Sequence, residues 1–115
     1  MNKIFIICSV REAEEDYKCK LESYKAELES KGYQVHLPHI DTNQEAKGID
    51  ICRENANAIF NANEVRIFYS PKSTGTHFDM GVAFGFGKRI KVIENVEFGE
   101  GKSYPRMLME WELQQ

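Results

Sequence analysis

The stretch Ser70-Pro71-Lys72-Ser73-Thr74-Gly75-Thr76-His77-Phe78-Asp79-Met80-Gly81-Val82-Ala83-Phe84-Gly85-Phe86-Gly87-Lys88-Arg89-Ile90 decides the fold. It follows the apolar run 65–69, which reads as a buried strand, and passes through a polar turn into a segment of helical spacing. A strand, a turn and a helix start, in that order, leave the first N–H groups of the helix without partners. They lie at the positive end of its dipole, where an anion can settle. Ser73, Thr74 and Thr76 add hydroxyls to the same place, and Asp79 follows one turn into the helix, where the dipole is expected to favour an ionised carboxylate. A structural reading stands beside this one. Thr76 as N-cap with Asp79 three residues later approximates a capping box, although Asp is shorter than the Glu or Gln that normally reaches back. Gly81 and Gly85 lie four apart on one helical face, each costing about 1 kcal/mol against Ala, and so predict a close backbone approach there. Gly87 is expected to end the helix as a left-handed residue, with Lys88 and Arg89 at the negative end.

Outward from this stretch the chain alternates between strand and helix patterns. Residues 4–8, Ile-Phe-Ile-Ile-Cys, form a continuous apolar run suited to a central parallel strand covered on both faces. The acidic start at Glu12, Glu14 and Glu15, with Tyr17, Leu21, Tyr24 and Leu28 on one stripe, predicts a helix closed by Lys31-Gly32. Residues 33–37 alternate like a strand that Pro38 ends, and 39–47 read as a polar loop. Ile49, Cys52, Ala56, Ile59 and Phe60 mark a second amphipathic helix ending near 61–63. Residues 89–93 read as a fourth strand. After a Gly-rich polar loop, Ser103-Tyr104-Pro105 predicts an N-cap with Pro in the first turn of a last helix.

Four strand–helix repeats argue for an α/β, doubly wound three-layer sandwich with a mainly parallel sheet of four to five strands and right-handed crossovers. In such a sheet, ligands sit outside the carboxyl ends of the strands at the switch of strand order. Ser9-Val10-Arg11 after strand one and residues 70–76 after strand three are therefore expected to share one crevice. Arg11 offers a permanent charge and a planar fork for a phosphate, or is a solvated arginine at a helix start.

A chain of 115 residues with 42% hydrophobic residues fits one domain. Its net charge of -3 and dispersed Lys and Arg argue against a nucleic acid polymer as partner. No run is long enough to span a bilayer, and the N-terminal apolar segment is too short for a signal peptide, so no membrane association is expected. Three cysteines without a CxxC pair fit free thiols in a reducing cytoplasm, and His36, His39 and His77 make no metal pattern. Neither a metal nor a cofactor is expected. No Gly-x-Gly-x-x-Gly opens a helix, no P-loop occurs, the loop after strand one is unlike a flavin site, and strand three lacks the Asp of a receiver domain.

Three motifs resemble the nucleoside 2-deoxyribosyltransferase superfamily, closest to its 2′-deoxynucleoside 5′-phosphate N-hydrolase branch. They are Ser9-Val10-Arg11 after an apolar strand, residues 55–64 before strand three, and residues 73–83, which resemble a Gly-Thr-x-x-Glu-x-Gly-x-Ala helix start. The resemblance implies a flavodoxin-like fold, a homodimer or larger assembly, and a nucleoside or nucleoside 5′-monophosphate as substrate. It places the nucleophile at Asp79 and a second catalytic position at Asn55. It assigns substrate and phosphate binding to Ser9, Arg11, Ser73, Gly75 and Thr76, and Ser73 points to the nucleotide-hydrolase branch.

Two positions depart from the family pattern. Asp79 is one methylene shorter than the family's Glu, and Asn55 stands where the family has an Asp able to exchange a proton. His77 is then a candidate for protonating the departing base. The expected activity is N-glycosidase or deoxyribosyltransferase chemistry through a carboxylate nucleophile. The alternative is a nucleotide-binding module of the same fold that does not cleave its ligand. The apolar residues Met107, Leu108 and Trp111 suit either a subunit contact or a helix docked on the core.

Overall fold

The computed structural model describes residues 2–11, 14–94, 96–97 and 101–115. Glu12 and Ala13, and part of the polar loop expected between the fourth strand and the last helix, lie outside the described residues. The elements are β1 (Lys3–Ile7), α1 (Glu15–Ser30), β2 (Gln34–His36), α2 (Pro38–Asp41), α3 (Gly48–Asn61), β3 (Glu64–Ile67), α4 (Thr74–Gly85), β4 (Arg89–Val92) and α5 (Tyr104–Gln114). All strand pairs are parallel, and the order across the sheet is β2-β1-β3-β4. The order reverses between β1 and β3, the switch at which an open sheet of this kind forms its crevice.

The apolar run of β1 is explained by its central place. Phe5 and Ile7 point to one face, where Ile59 of α3, Met80 and Ala83 of α4, and Leu108 of α5 complete a core. Ile4, Ile6 and Cys8 point to the other, where Leu21 and Leu28 of α1 and Val35 of β2 meet them. Burying both faces removes the polar alternation a half-exposed strand would show. Leu108 is fully buried, and Met107 and Trp111 pack against the same core, so α5 is a docked helix.

Helix ends follow chemistry written in the sequence. Gly32 and Gly87 have φ of 95° and 66° and sit at the C′ positions of α1 and α4. In both, the next amide reaches back to close a Schellman motif: Tyr33 N–H to Leu28 O at 3.2 Å, and Lys88 N–H to Ala83 O at 3.0 Å. Ser103 caps α5, accepting from the Arg106 N–H.

Three expectations change. Pro38 does not lead into a loop; it opens the four-residue helix α2, whose Asp41 carboxylate accepts from the Leu37 N–H at 2.8 Å. Lys25 of α1 donates to the same carboxylate at 2.7 Å, tying this short helix to a distant element. The N-cap of α4 is Ser73, not Thr76: the Ser73 hydroxyl oxygen accepts from the Thr76 N–H at 3.1 Å, so the proposed Thr76–Asp79 capping box does not form. Among the described residues no atom lies within 4 Å of where a Cβ on Gly81 or Gly85 would stand, so none of them brings its backbone close to either glycine.

Candidate functional site

β1 and β3 end side by side, and the loops leaving them form one wall of a cavity of about 580 Å³. Cys8, Ser9, Val10 and Arg11 come from the first loop, and Ser70, Lys72, Ser73, Thr74 and Gly75 from the second. α3 supplies Ile51, Cys52 and Asn55, and α4 supplies Phe78 and Asp79. Ser9, Arg11, Asn55, Ser73, Gly75 and Asp79, all singled out in the sequence, therefore share one space. Thr76 does not join them. It is fully buried on the inner side of α4, in line with Met80 and Ala83, and its hydroxyl has no partner among the described residues.

One end of the cavity is built for negative charge. Ser73 uses its oxygen to cap α4 and keeps its hydroxyl proton to donate elsewhere. The Thr74 and Gly75 amides, first in the helix, have no backbone acceptor among the described residues. Arg11 and Lys72 add positive charge, and neither forms a salt bridge among the described residues. A Cβ on Gly75 would meet only Ser73 Oγ, at 3.9 Å, so the absent side chain leaves room at the cavity rather than easing the fold.

Asp79 lies deeper, 6% exposed, on the inner half of the same wall. The dipole argument predicted a readily ionised carboxylate; burial wins instead and raises its pKa to about 7. Among the described residues no basic side chain offsets the lost hydration; Arg11 and Lys72 are both exposed. Cys8 on the cavity floor is pushed up to about 12, by burial first and by the nearby Asp79 charge second.

Asn55 is 8% exposed. Its Oδ1 accepts from the Thr42 hydroxyl at 2.6 Å, and Thr42 Oγ1 lies 2.7 Å from His36 Nε2. Beside it, Gln44 donates from Nε2 to Pro38 O at 2.8 Å and to Thr42 O at 3.4 Å while lining the cavity. Sequence reading gave Thr42 and Gln44 no place in the site, since a polar stretch after a short strand carries no periodic signal, and it weighed His36 only as a metal ligand. Lys72 and Phe78 were legible only as neighbours of the Ser73 turn.

His77 is not placed to protonate a departing base. Its Nδ1 donates to the Ser73 carbonyl at 2.7 Å, and its Nε2 pairs with the Tyr69 hydroxyl at 2.9 Å. Its ring packs against Tyr104, and it is absent from the cavity wall.

No protein-family model matches the chain, and no curated protein matches it. Solved structures do. A CMP N-glycosidase from Clostridium botulinum aligns with a TM-score of 0.64 at 23% identity, over 79% of this chain and 67% of that one. A 2-deoxyribosyltransferase from Leishmania mexicana aligns with a TM-score of 0.63 at 20% identity, over 80% of this chain and 63% of that one. The chain has their flavodoxin-like fold. A 2-deoxyribosyltransferase from Bacillus psychrosaccharolyticus extends the likeness, with a TM-score of 0.67 at 17% identity over 83% of this chain and 77% of that one. This chain spans less than two thirds of the Leishmania enzyme. At these identities the likeness concerns architecture alone.

Proposed function

We propose that the cavity binds a nucleoside 5′-monophosphate and that Asp79 cleaves its N-glycosidic bond. The observation that carries this reading is the pairing, in one cavity, of a donor-rich cationic end with a deep carboxyl group that forms no salt bridge among the described residues. The phosphate is held by Arg11, Lys72, the Ser9 and Ser73 hydroxyls and the α4 amides. The sugar then extends towards Asp79. Its carboxylate attacks C1′, the C1′–N bond breaks with its electron pair going to the base, and water hydrolyses the resulting ester at C1′. The solved structures of the same fold, an N-glycosidase and two deoxyribosyltransferases, accord with this chemistry. Incubation with the common deoxynucleoside 5′-monophosphates is expected to release free base, and Asp79→Ala to abolish release. No release from any of them by the intact protein overturns the enzymatic reading.

The second reading, binding without cleavage, is favoured by one observation: Asn55 has no ionisable proton, and among the described residues the one carboxyl on the wall is Asp79, which the first reading uses as nucleophile. It predicts a rise in melting temperature with the same nucleotides but no free base.

A second copy of the chain completes the proposal. Phe60, Phe84 and Phe86 stand 60%, 61% and 47% exposed on or beside α3 and α4, and the space over Gly81 and Gly85 is open. Phe78, 49% exposed, belongs both to this surface and to the cavity wall. A partner seated there would bury the aromatic surface and shield the open side of the site.

A further inference from the structure

Asn55 does not set its own orientation. Two residues from other elements do: Thr42 just after α2, and His36 at the end of β2. A hydroxyl has one proton. With that proton given to Asn55 Oδ1, Thr42 meets His36 only as an acceptor, so the hydrogen on that side belongs to His36 Nε2. The result is a directed chain from ring N–H through hydroxyl to amide carbonyl. Its inner members are well shielded, Thr42 at 4% and Asn55 at 8% exposed, where water competes poorly for the same bonds. The His36 ring is held in turn by stacking on Phe5, with ring centres 5.2 Å apart and planes 14° from parallel. Asp41 and Glu54 face His36 with negative charge and Lys25 with positive charge. Protonating the ring leaves the direction unchanged, since Nε2 carries its hydrogen in both states.

The consequence falls on the cavity. Asn55 lies on its wall with the carbonyl already engaged, so the amide N–H2 is the group left to meet a bound molecule. We infer that His36 and Thr42 are positioning residues that hold Asn55 as a hydrogen-bond donor to an acceptor atom of the ligand. Resting on the function proposed above, that atom is a ring nitrogen or carbonyl oxygen of the nucleobase. Negative charge grows on the base as the C1′–N bond breaks, and a fixed N–H donor stabilises that charge without transferring a proton. The base departs with the electron pair and takes its proton from water afterwards. A site of this kind favours bases that leave as stabilised anions, so 5-fluorodeoxyuridine monophosphate should turn over severalfold faster than deoxyuridine monophosphate.

The test begins with ligand-free, 15N-labelled protein, in which the Asn55 side-chain amide is identified by its loss in Asn55→Asp. Thr42→Val and His36→Phe are expected to shift that signal and speed its exchange with water, while Thr42→Ser and His36→Gln, which keep the donors, restore it. Calorimetry with deoxyuridine monophosphate is then expected to show Thr42→Val weakening binding by the same factor as Asn55→Ala, with Thr42→Ser near the intact protein. Melting temperatures of all variants separate a lost fold from a lost orientation, and the Ser and Gln variants keep the test open where Val or Phe fails to fold. An Asn55 signal indifferent to Thr42→Val, or binding that follows melting temperature instead of donor content, overturns the inference. Absence of nucleotide binding by the intact protein overturns the functional reading instead, and the amide signal still decides the relay.

Discussion

Asp79 sets two opposing pH dependences. Its pKa is about 7 in the folded protein against the ordinary 3.8, so the folded state prefers the protonated carboxyl. The stability this confers is complete below the ordinary value and is lost as pH climbs through about 7. At full ionisation the loss is roughly 4 kcal/mol. Asp79→Asn is therefore expected to match the intact protein near pH 4 and to exceed it in stability at pH 8, measured by urea unfolding across that range. Base release should run the other way, rising with pH through about 7 as the nucleophile ionises. Gly75 gives a second prediction at this scale. Its Cβ position is clear of the fold, so Gly75→Ala should leave the melting temperature nearly unchanged and weaken nucleoside monophosphate binding. The unphosphorylated nucleoside should be affected far less, a contrast that calorimetry reads directly. The position of Asp79 was legible from its place six residues after Ser73, on the helix that the Ser73 turn opens. Its raised pKa was not, because burial depends on what β1 and α3 place against it.

Elements were legible where their signals are local. Gly32 and Gly87 announced the ends of α1 and α4, and Ser103-Tyr104-Pro105 announced the start of α5. α2 escaped because its stability comes from the Asp41 carboxylate closing on Leu37 and from Lys25, sixteen residues away. The start of α4 was misplaced because Ser73 and Thr76 are both good caps, and only the turn leaving β3 decides between them. Ser73→Ala tests the double duty of that cap. Loss of the bond to the Thr76 N–H should cost about 1 kcal/mol by chemical denaturation. Monophosphate affinity should fall as well, which a cap serving only the helix would not produce.

The parallel sheet followed from alternation and the crevice shared by the loops after strands one and three from the general behaviour of open parallel sheets, while Asn55 entered the site only through the family resemblance. Gln44, in the loop before α3, and Ile51 and Cys52 of α3 could not be placed there from sequence, since no sequence rule fixes how far that loop and helix lean over the sheet. The same applies to Gly81 and Gly85. Their spacing predicted a close neighbour, and none stands over them among the described residues. With a second copy seated there, light scattering should give twice the chain mass. Gly81→Glu, whose Cβ meets nothing among the described residues of its own subunit, should give a folded single chain, checked by mass and circular dichroism together.

Cys8 carries a practical corollary. A thiol titrating near 12 is almost entirely protonated at neutral pH, and the reactive species towards alkylating reagents is the thiolate. Cys19 is exposed on α1 and open to reagent, while Cys52 is half-buried on the cavity wall. In a Cys52→Ser background, a maleimide dye should therefore attach to α1 alone, giving a fluorescent handle remote from the pocket while its sulfur floor stays unmodified.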